Sequence, residues 1–454
     1  MATTFDKFPA QRRVARPVAL GSQSLVPVYL AATLVYLLFV PEQLHIRLFG
    51  FYLPPYRIFM LPATLYLLFS AVAGRLRFVW VDWLIVLASA WIWLASYVTS
   101  GLPATAFAQG GAHTLDIAFA YFLARAAIQT PRDLRHFLIL IVPGVAIVSL
   151  FVIQEALTHT RILQRVASDI TGSPYRLRDD VRLGLMRGTG PFPHPILAGI
   201  FLASFLPIFL ASGLRGWPRM VGIAASLGGF FSMSSAALLG LLMGGILWCY
   251  DWVSEKISNI TWRLFLLGSG FLYATVELTS NSGFYGLMIR YASLNTTSAY
   301  NRVLIWNYGT ENIAQHPWFG LGYADWVRPS WMHSGSFDHF WLIMALRFGI
   351  PTSLLLIGAT VAGLILLAIR SSSFAPQDAR LMRGVAISLA VFALGAVSVS
   401  LWLSVLVWFF ILLGIAVSLA YNLRRTPNTG RVLNPRVQLP NQARPKQRAP
   451  NGRR

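Results

Sequence analysis

The residues best suited to chemistry fall in three stretches. In "SGSFDHFWLIMALRFGIP" (334–351), Asp338 and His339 stand side by side before an apolar run. A carboxylate or an imidazole placed there can take the proton of an attacking hydroxyl. Interfacial solvation or a salt bridge to a nearby arginine is the plainer use of the same pair. His333, just upstream, is a third candidate. Arg347 interrupts the run about two turns in, where it can reach the same cavity or pair with Asp338 or Asp325. In "LMRGTGPFPHPILAG" (185–199), Arg187 precedes Gly188, Gly190, Pro191, Pro193 and Pro195. That composition predicts a bent, non-helical approach to a membrane segment. Such backbone is tolerated at membrane depth only where protein or a wet cavity covers it. His194, among the prolines, reads as a hydrogen-bonded structural histidine. The third stretch, "AYNRVLIWNYGTENIAQHPWFGLGYADW" (299–326), begins as a short amphipathic helix with Val303, Trp306 and Tyr308 on its apolar side, and ends in a Pro/Gly turn. Trp306, Trp318 and Trp326 suit interfacial anchoring, or the apolar cover that sugar C–H faces need. Arg302 is the charge there that most needs a partner.

These residues must be positioned by membrane helices. The chain is 56% hydrophobic and only 12% charged over 454 residues, whereas a soluble domain carries roughly a quarter charged residues. Apolar runs predict an all-α polytopic protein with about twelve spans. The predicted spans are 26–42, 58–74, 82–100, 114–128, 137–157, 191–211, 218–232, 235–252, 263–280, 340–369, 384–400 and 402–422. With residues 1–25 as a basic cytoplasmic N-terminus, the short loops on that side hold Arg75, Arg77, Arg132, Arg135, Arg215, Arg219, Lys256, Arg263, Arg370, Arg380 and Arg383. The opposite loops 100–113 and 400–402 have no Lys or Arg. This is the positive-inside pattern, and it puts both termini in the cytoplasm. The tail 423–454 is basic, has no acidic residue and reads as disordered. No folded module supports nucleic-acid binding.

Two outer segments break the charge pattern. The first, about 158–190, contains Arg161, Arg165, Arg176, Arg178, Arg182 and Arg187 against Asp169, Asp179 and Asp180; the second, about 281–339, contains Arg290, Arg302 and Arg328. Pairing with the aspartates can absorb part of this charge. An anion site facing the outer leaflet accounts for more of it, because guanidinium presents a planar fork matched to phosphate oxygens. The single cysteine, Cys249, excludes a disulfide within the chain. No zinc-protease, P-loop or nucleophile-elbow motif is present, and the histidines are not spaced as metal ligands, so a mechanism without metal or cofactor is expected.

Taken together, "RGTGPFPHPILAG", "NRVLIWNYGTENIAQHPWFGLG" and "SFDHFWLIMALRFGIP" resemble, in order and in topology, the blocks of the O-antigen ligase and Wzy-type polymerase family. The resemblance runs through about 25–420 and does not reach the basic tail. It implies an integral-membrane glycosyltransferase of GT-C type in a bacterial inner membrane, with 26–422 as the ligase/polymerase-like domain. The donor would be a polyprenyl-diphosphate-linked oligosaccharide on the periplasmic side. The acceptor would be the next repeat unit, lengthening a surface or exopolysaccharide, or lipid A–core in a ligase. Polysaccharide-export or chain-length proteins are candidate partners. Carried over by motif, Arg187 and Arg302 would hold the diphosphate, with Arg182 and Arg290 secondary. His333, Trp306 and Trp318 would contact substrate. The familiar block starts with His-Asn, with Leu four and Gly eleven residues after the His. Counting back from Leu342 and Gly349 puts Asp338 at the His position and His339 at the Asn position. The base is therefore Asp338 or His339, and one helical residue would rotate a side chain by about 100°. A transporter for a lipid-linked or anionic substrate is the alternative class. It would want ionisable residues near mid-span, and the chain shows no internal repeat of the kind inverted-half transporters carry.

Overall fold

The computed structural model describes residues 25–421 except 49, 75, 175–178, 282, 285, 288–295 and 333–334. The basic N-terminus, the tail beyond 421, Arg75, Arg176, Arg178, Arg290 and His333 lie outside these described residues. In chain order the helices are α1 (Val26–Leu37), α2 (Pro55–Val72), α3 (Trp80–Ser100), α4 (Pro103–Thr114), α5 (Ala120–Ala127), α6 (Pro131–Thr158), α7 (Ile162–Thr171), α8 (Pro195–Ala211), α9 (Trp217–Leu227), α10 (Ser235–Ser254), α11 (Trp262–Thr279), α12 (Thr296–Gln315), α13 (Phe340–Phe348), α14 (Ile350–Ser371), α15 (Pro376–Gly395) and α16 (Leu403–Tyr421). Two small antiparallel hairpins, β1 (Ile46–Leu48) with β2 (Phe51–Leu53) and β3 (Val181–Arg182) with β4 (Leu185–Met186), complete the described elements.

Among the described residues six helices are long and apolar enough to cross a membrane: α2, α3, α6, α10, α14 and α16. The shorter α1 and α8 are also apolar. Helix occupies most of each predicted span, and the chain is a mostly helical multi-pass membrane protein. Burial separates the helices into an enclosed centre and a more exposed ring. The α16 span is 94% buried, whereas α2 is 33% buried. The stripe-free apolar sequence of α16 fits a helix enclosed on all sides. Trp408 of α16 stacks on Phe205 of α8 at 4.5 Å and its indole N–H donates to the Ser204 hydroxyl at 2.9 Å. Gly414 lets α16 approach the backbone of α5 at Tyr121.

Three features depart from the sequence expectations. The predicted loop 100–113 contains α4, which runs through a π-helical turn (Leu115–Phe119) into α5. That turn holds Asp116, whose carboxylate accepts two hydrogen bonds from Arg57 at 2.9 and 2.5 Å. Next, the predicted single span 340–369 is broken at Gly349, which adopts φ +87°. The Ser353 hydroxyl donates to the Trp341 carbonyl at 2.8 Å; in one continuous helix those residues would lie about 18 Å apart along the axis. The chain therefore folds back, and the 316–322 turn fills the bend. Ile350 N–H donates to Pro317 O (2.8 Å), while Leu321 and Gly322 N–H donate to Leu346 O (2.7 Å) and Arg347 O (3.0 Å). Backbone freed by the break is thereby satisfied inside protein, as a membrane segment requires. Lastly, α12 buries Arg302, Ile305, Asn312 and Ile313 rather than the expected Val303–Trp306 side. Trp306 turns to His339, ring centroids 5.7 Å apart.

Candidate active site

The two arginines carried over by motif arrive from separate parts of the chain. Arg187 follows the β3–β4 hairpin, which closes through Leu183 and Gly184 at positive φ, the geometry of a tight two-residue turn. The register pairs Val181 with Met186 and Arg182 with Leu185, so Asp180 falls opposite Arg187. Arg187 N–H donates to Asp180 O at 3.0 Å. Asp180 also takes the Arg187 guanidinium at 3.0 Å and lies 3.7 Å from that of Arg182. Arg182 is held by the Met233 carbonyl as well, at 3.2 Å. Asp179 pairs with Arg161 at 3.2 Å. Acid pairing is thus present, but it binds two arginines to one carboxylate and leaves excess positive charge. Arg187 is 7% exposed. Burial lowers its pKa, as do the charges of Arg182 and Arg302, while Asp180 pulls it back up. Arg302, from α12, is 8% exposed.

The strand-to-helix stretch beyond Arg187 is built on a carboxylate that sequence reading did not single out. Glu155, fully buried on α6, accepts from the Thr189 N–H (2.7 Å), the Thr189 hydroxyl (2.9 Å) and the Gly190 N–H (3.1 Å). Gln164 of α7 donates to the Gly190 carbonyl at 3.0 Å. Gly188 lies against the Val152 backbone, where any Cβ would collide with the carbonyl oxygen. "RGTG" is therefore a turn moulded on α6. The signal available beforehand was a lone glutamate in an apolar helix, which at such depth must have partners.

Asp338 and His339 both precede the first turn of α13, so the helix-rotation argument does not apply to them. His339 is the N-cap: its Nδ1 accepts the Leu342 N–H at 3.1 Å. His194 does the same for α8, accepting from Ile196 N–H at 3.2 Å, in line with its expected structural part. An imidazole whose Nδ1 accepts a hydrogen bond carries its neutral-state proton on Nε2. His339 therefore has no lone pair left for a substrate proton, and burial pushes it down to about 4. Asp338 is half-buried. Burial pushes its carboxyl up, and the charges of Arg302 and Arg187 draw it back. A carboxylate, two buried arginines and the indole of Trp306 thus share one neighbourhood, assembled from 179–194, α12 and 335–339.

Residues 220–357 match the O-antigen ligase family, Wzy_C. Over this stretch the chain is similar to the O-antigen ligase and Wzy-type family. Proteins of this kind transfer glycans from lipid-linked substrates within a membrane. The ligase-type region includes Arg302, Trp306, Asp338, His339 and the Gly349 bend, while Arg187 and its hairpin lie before it. No curated protein matches the chain. Trp318 sits apart from the cluster: it is 65% exposed in the turn at Gly349, and its carbonyl accepts from the Trp91 indole at 3.0 Å. Arg328 is bound to Asp325 at 2.6 Å. Arg125 is held by Asp82 at 2.8 Å, which also accepts from the Tyr121 hydroxyl at 2.6 Å. Those bonds make Arg125 a strut between α3 and α5.

Proposed function

We propose that the protein is an inverting glycosyltransferase of the inner membrane that polymerises lipid-linked repeat units at the periplasmic face. In this reading it crosses the membrane about twelve times, in a GT-C-like arrangement with both termini cytoplasmic. The observations that carry the proposal are that Trp306, one turn beyond Arg302, lies against His339, and that the charges of buried Arg302 and Arg187 act on the neighbouring Asp338 carboxyl. Arg187 and Arg302, with Arg182 beside them, take the donor diphosphate. Cleavage at the anomeric carbon moves negative charge onto the leaving diphosphate. Guanidinium groups already in place stabilise that charge more in the transition state than in the ground state. Asp338 removes the proton of the acceptor hydroxyl, whose oxygen then displaces the diphosphate directly with inversion. His339 holds the first turn of α13, so that Asp338 is presented at a fixed place. In this reading arginine charge does the work of neutralising the diphosphate, without a metal.

The test is to incubate the purified protein in nanodiscs with a polyprenyl-diphosphate oligosaccharide, with and without lipid A–core. A ladder of lengthened glycan without core is expected. Transfer only to core would make the protein a ligase of the same family, and no product in either arm would overturn the proposal.

A further inference from the structure

Arg347 pairs with neither Asp338 nor Asp325. It lines a separate cavity of about 610 Å³ on the far part of α13, bounded by the β1–β2 hairpin, α4 and residues 400–403. That volume lies within the range of small-molecule sites, roughly 300–1,000 Å³. Its charges can be counted. Arg57 is spent: both arms of its fork go to Asp116 and its remaining nitrogen donates to Tyr52 O at 2.8 Å. Arg347 lies over the Tyr323 ring at 4.6 Å, and among the described residues no carboxylate comes within ion-pair reach of it. His113 shares a hydrogen bond with the Tyr323 hydroxyl at 2.8 Å. The cavity thus has one guanidinium in excess of its acids. Tyr52, Tyr323 and Trp402 line it too, and Trp402 also lies beside His194, ring centroids 6.1 Å apart.

We infer that this cavity binds an acidic sugar of the glycan substrate, with Arg347 on the sugar carboxylate and the aromatic rings against its C–H faces. The inference rests on the glycan-transfer reading and adds to it the class of sugar recognised. A guanidinium held by Tyr323 and without a carboxylate partner among the described residues matches a monoanionic carboxylate by a bidentate contact, and the aromatic walls suit a pyranose better than an acyl chain or a free ion. Arg347 is then a specificity residue, not a catalytic one.

Binding is measured by calorimetry on the full chain in nanodiscs, with a trisaccharide ending in glucuronic acid and its glucose-ended counterpart. Wild type is expected to favour the acidic probe by about tenfold or more, the size of a hydrogen-bonded charged contact. Arg347→Gln should lose that preference, Arg347→Lys should keep part of it, and Arg187→Gln should keep all of it. Equal binding of the two probes by wild type, or an undiminished preference in Arg347→Gln, overturns the inference. So does displacement of the glucuronide by equimolar inorganic phosphate, which would make the site a phosphate or lipid-headgroup site. The readout is binding alone, so failure here leaves the transfer assay untouched. Retained transfer by Arg187, Arg302 and Asp338 variants would instead defeat the catalytic reading while this preference survived.

Discussion

Replacing Asp338 with Asn removes a charge and a proton acceptor while preserving shape. If Asp338 is the base, turnover should fall by about 10²–10⁴-fold. Donor binding should not suffer, because Arg187 and Arg302 lose a competing anion, so the loss should appear in kcat with KM unchanged or lowered. His339→Asn is the partner experiment. Asn is among the strongest N-cap residues, and even His339→Ala forfeits only the cap, about 1 kcal/mol. At about 1.4 kcal/mol per tenfold, the whole of that loss passed into the barrier slows transfer less than tenfold. The two variants are therefore separable by magnitude alone. They also differ in pH dependence. The base works ionised, and burial raises the Asp338 pKa, so activity should decline as pH falls through a value above the ordinary carboxylate range. His339→Asn should keep this acidic limb; in Asp338→Asn it should vanish from the residual rate. The assay is initial-rate glycan extension on the polyprenyl-diphosphate oligosaccharide from pH 4 to 9. Near-wild-type turnover in Asp338→Asn, with a hundredfold loss in His339→Asn, would refute the argument from the Nδ1 cap.

Arg187→Gln and Arg302→Gln should each lower kcat/KM by about 10²–10³-fold, the cost of losing one charge-stabilising donor, with membrane insertion retained; polymer length on a gel and membrane fractionation check this. Glu155→Ala strands the Thr189 and Gly190 N–H groups, and should cost about 2–3 kcal/mol, read as a lower melting temperature together with weaker donor binding. Gly349→Ala puts a Cβ against the Trp318 carbonyl at a positive φ. It should destabilise the α13–α14 bend by at least about 1–3 kcal/mol, seen as increased proteolysis between 316 and 350.

Sequence alone determined the solvent and the coarse architecture. Apolar runs report removal from water whatever their neighbours, so helix falls on most of the predicted span residues. The arginines of the outer segments were equally legible as charges needing partners, because they run against the topology signal; Asp179, Asp180 and Asp325 supply part of that partnering. The blocks containing Arg302 and Asp338 carried the family, and the ligase match covers both. The tertiary structure decided what depends on contacts distant along the chain. Glu155 reaches Thr189 across 34 residues and Arg57 reaches Asp116 across 59; no local period records either meeting. The break at Gly349 was hidden because apolar composition continues through it, while the bonds that hold it come from the 316–322 turn and from Ser353. The proposed choice of Asp338 over His339 as the base rests on one hydrogen bond. Adjacent in sequence, they differ in setting: the Leu342 N–H takes the Nδ1 lone pair of His339, while the Asp338 carboxyl feels the charges of Arg302 and Arg187.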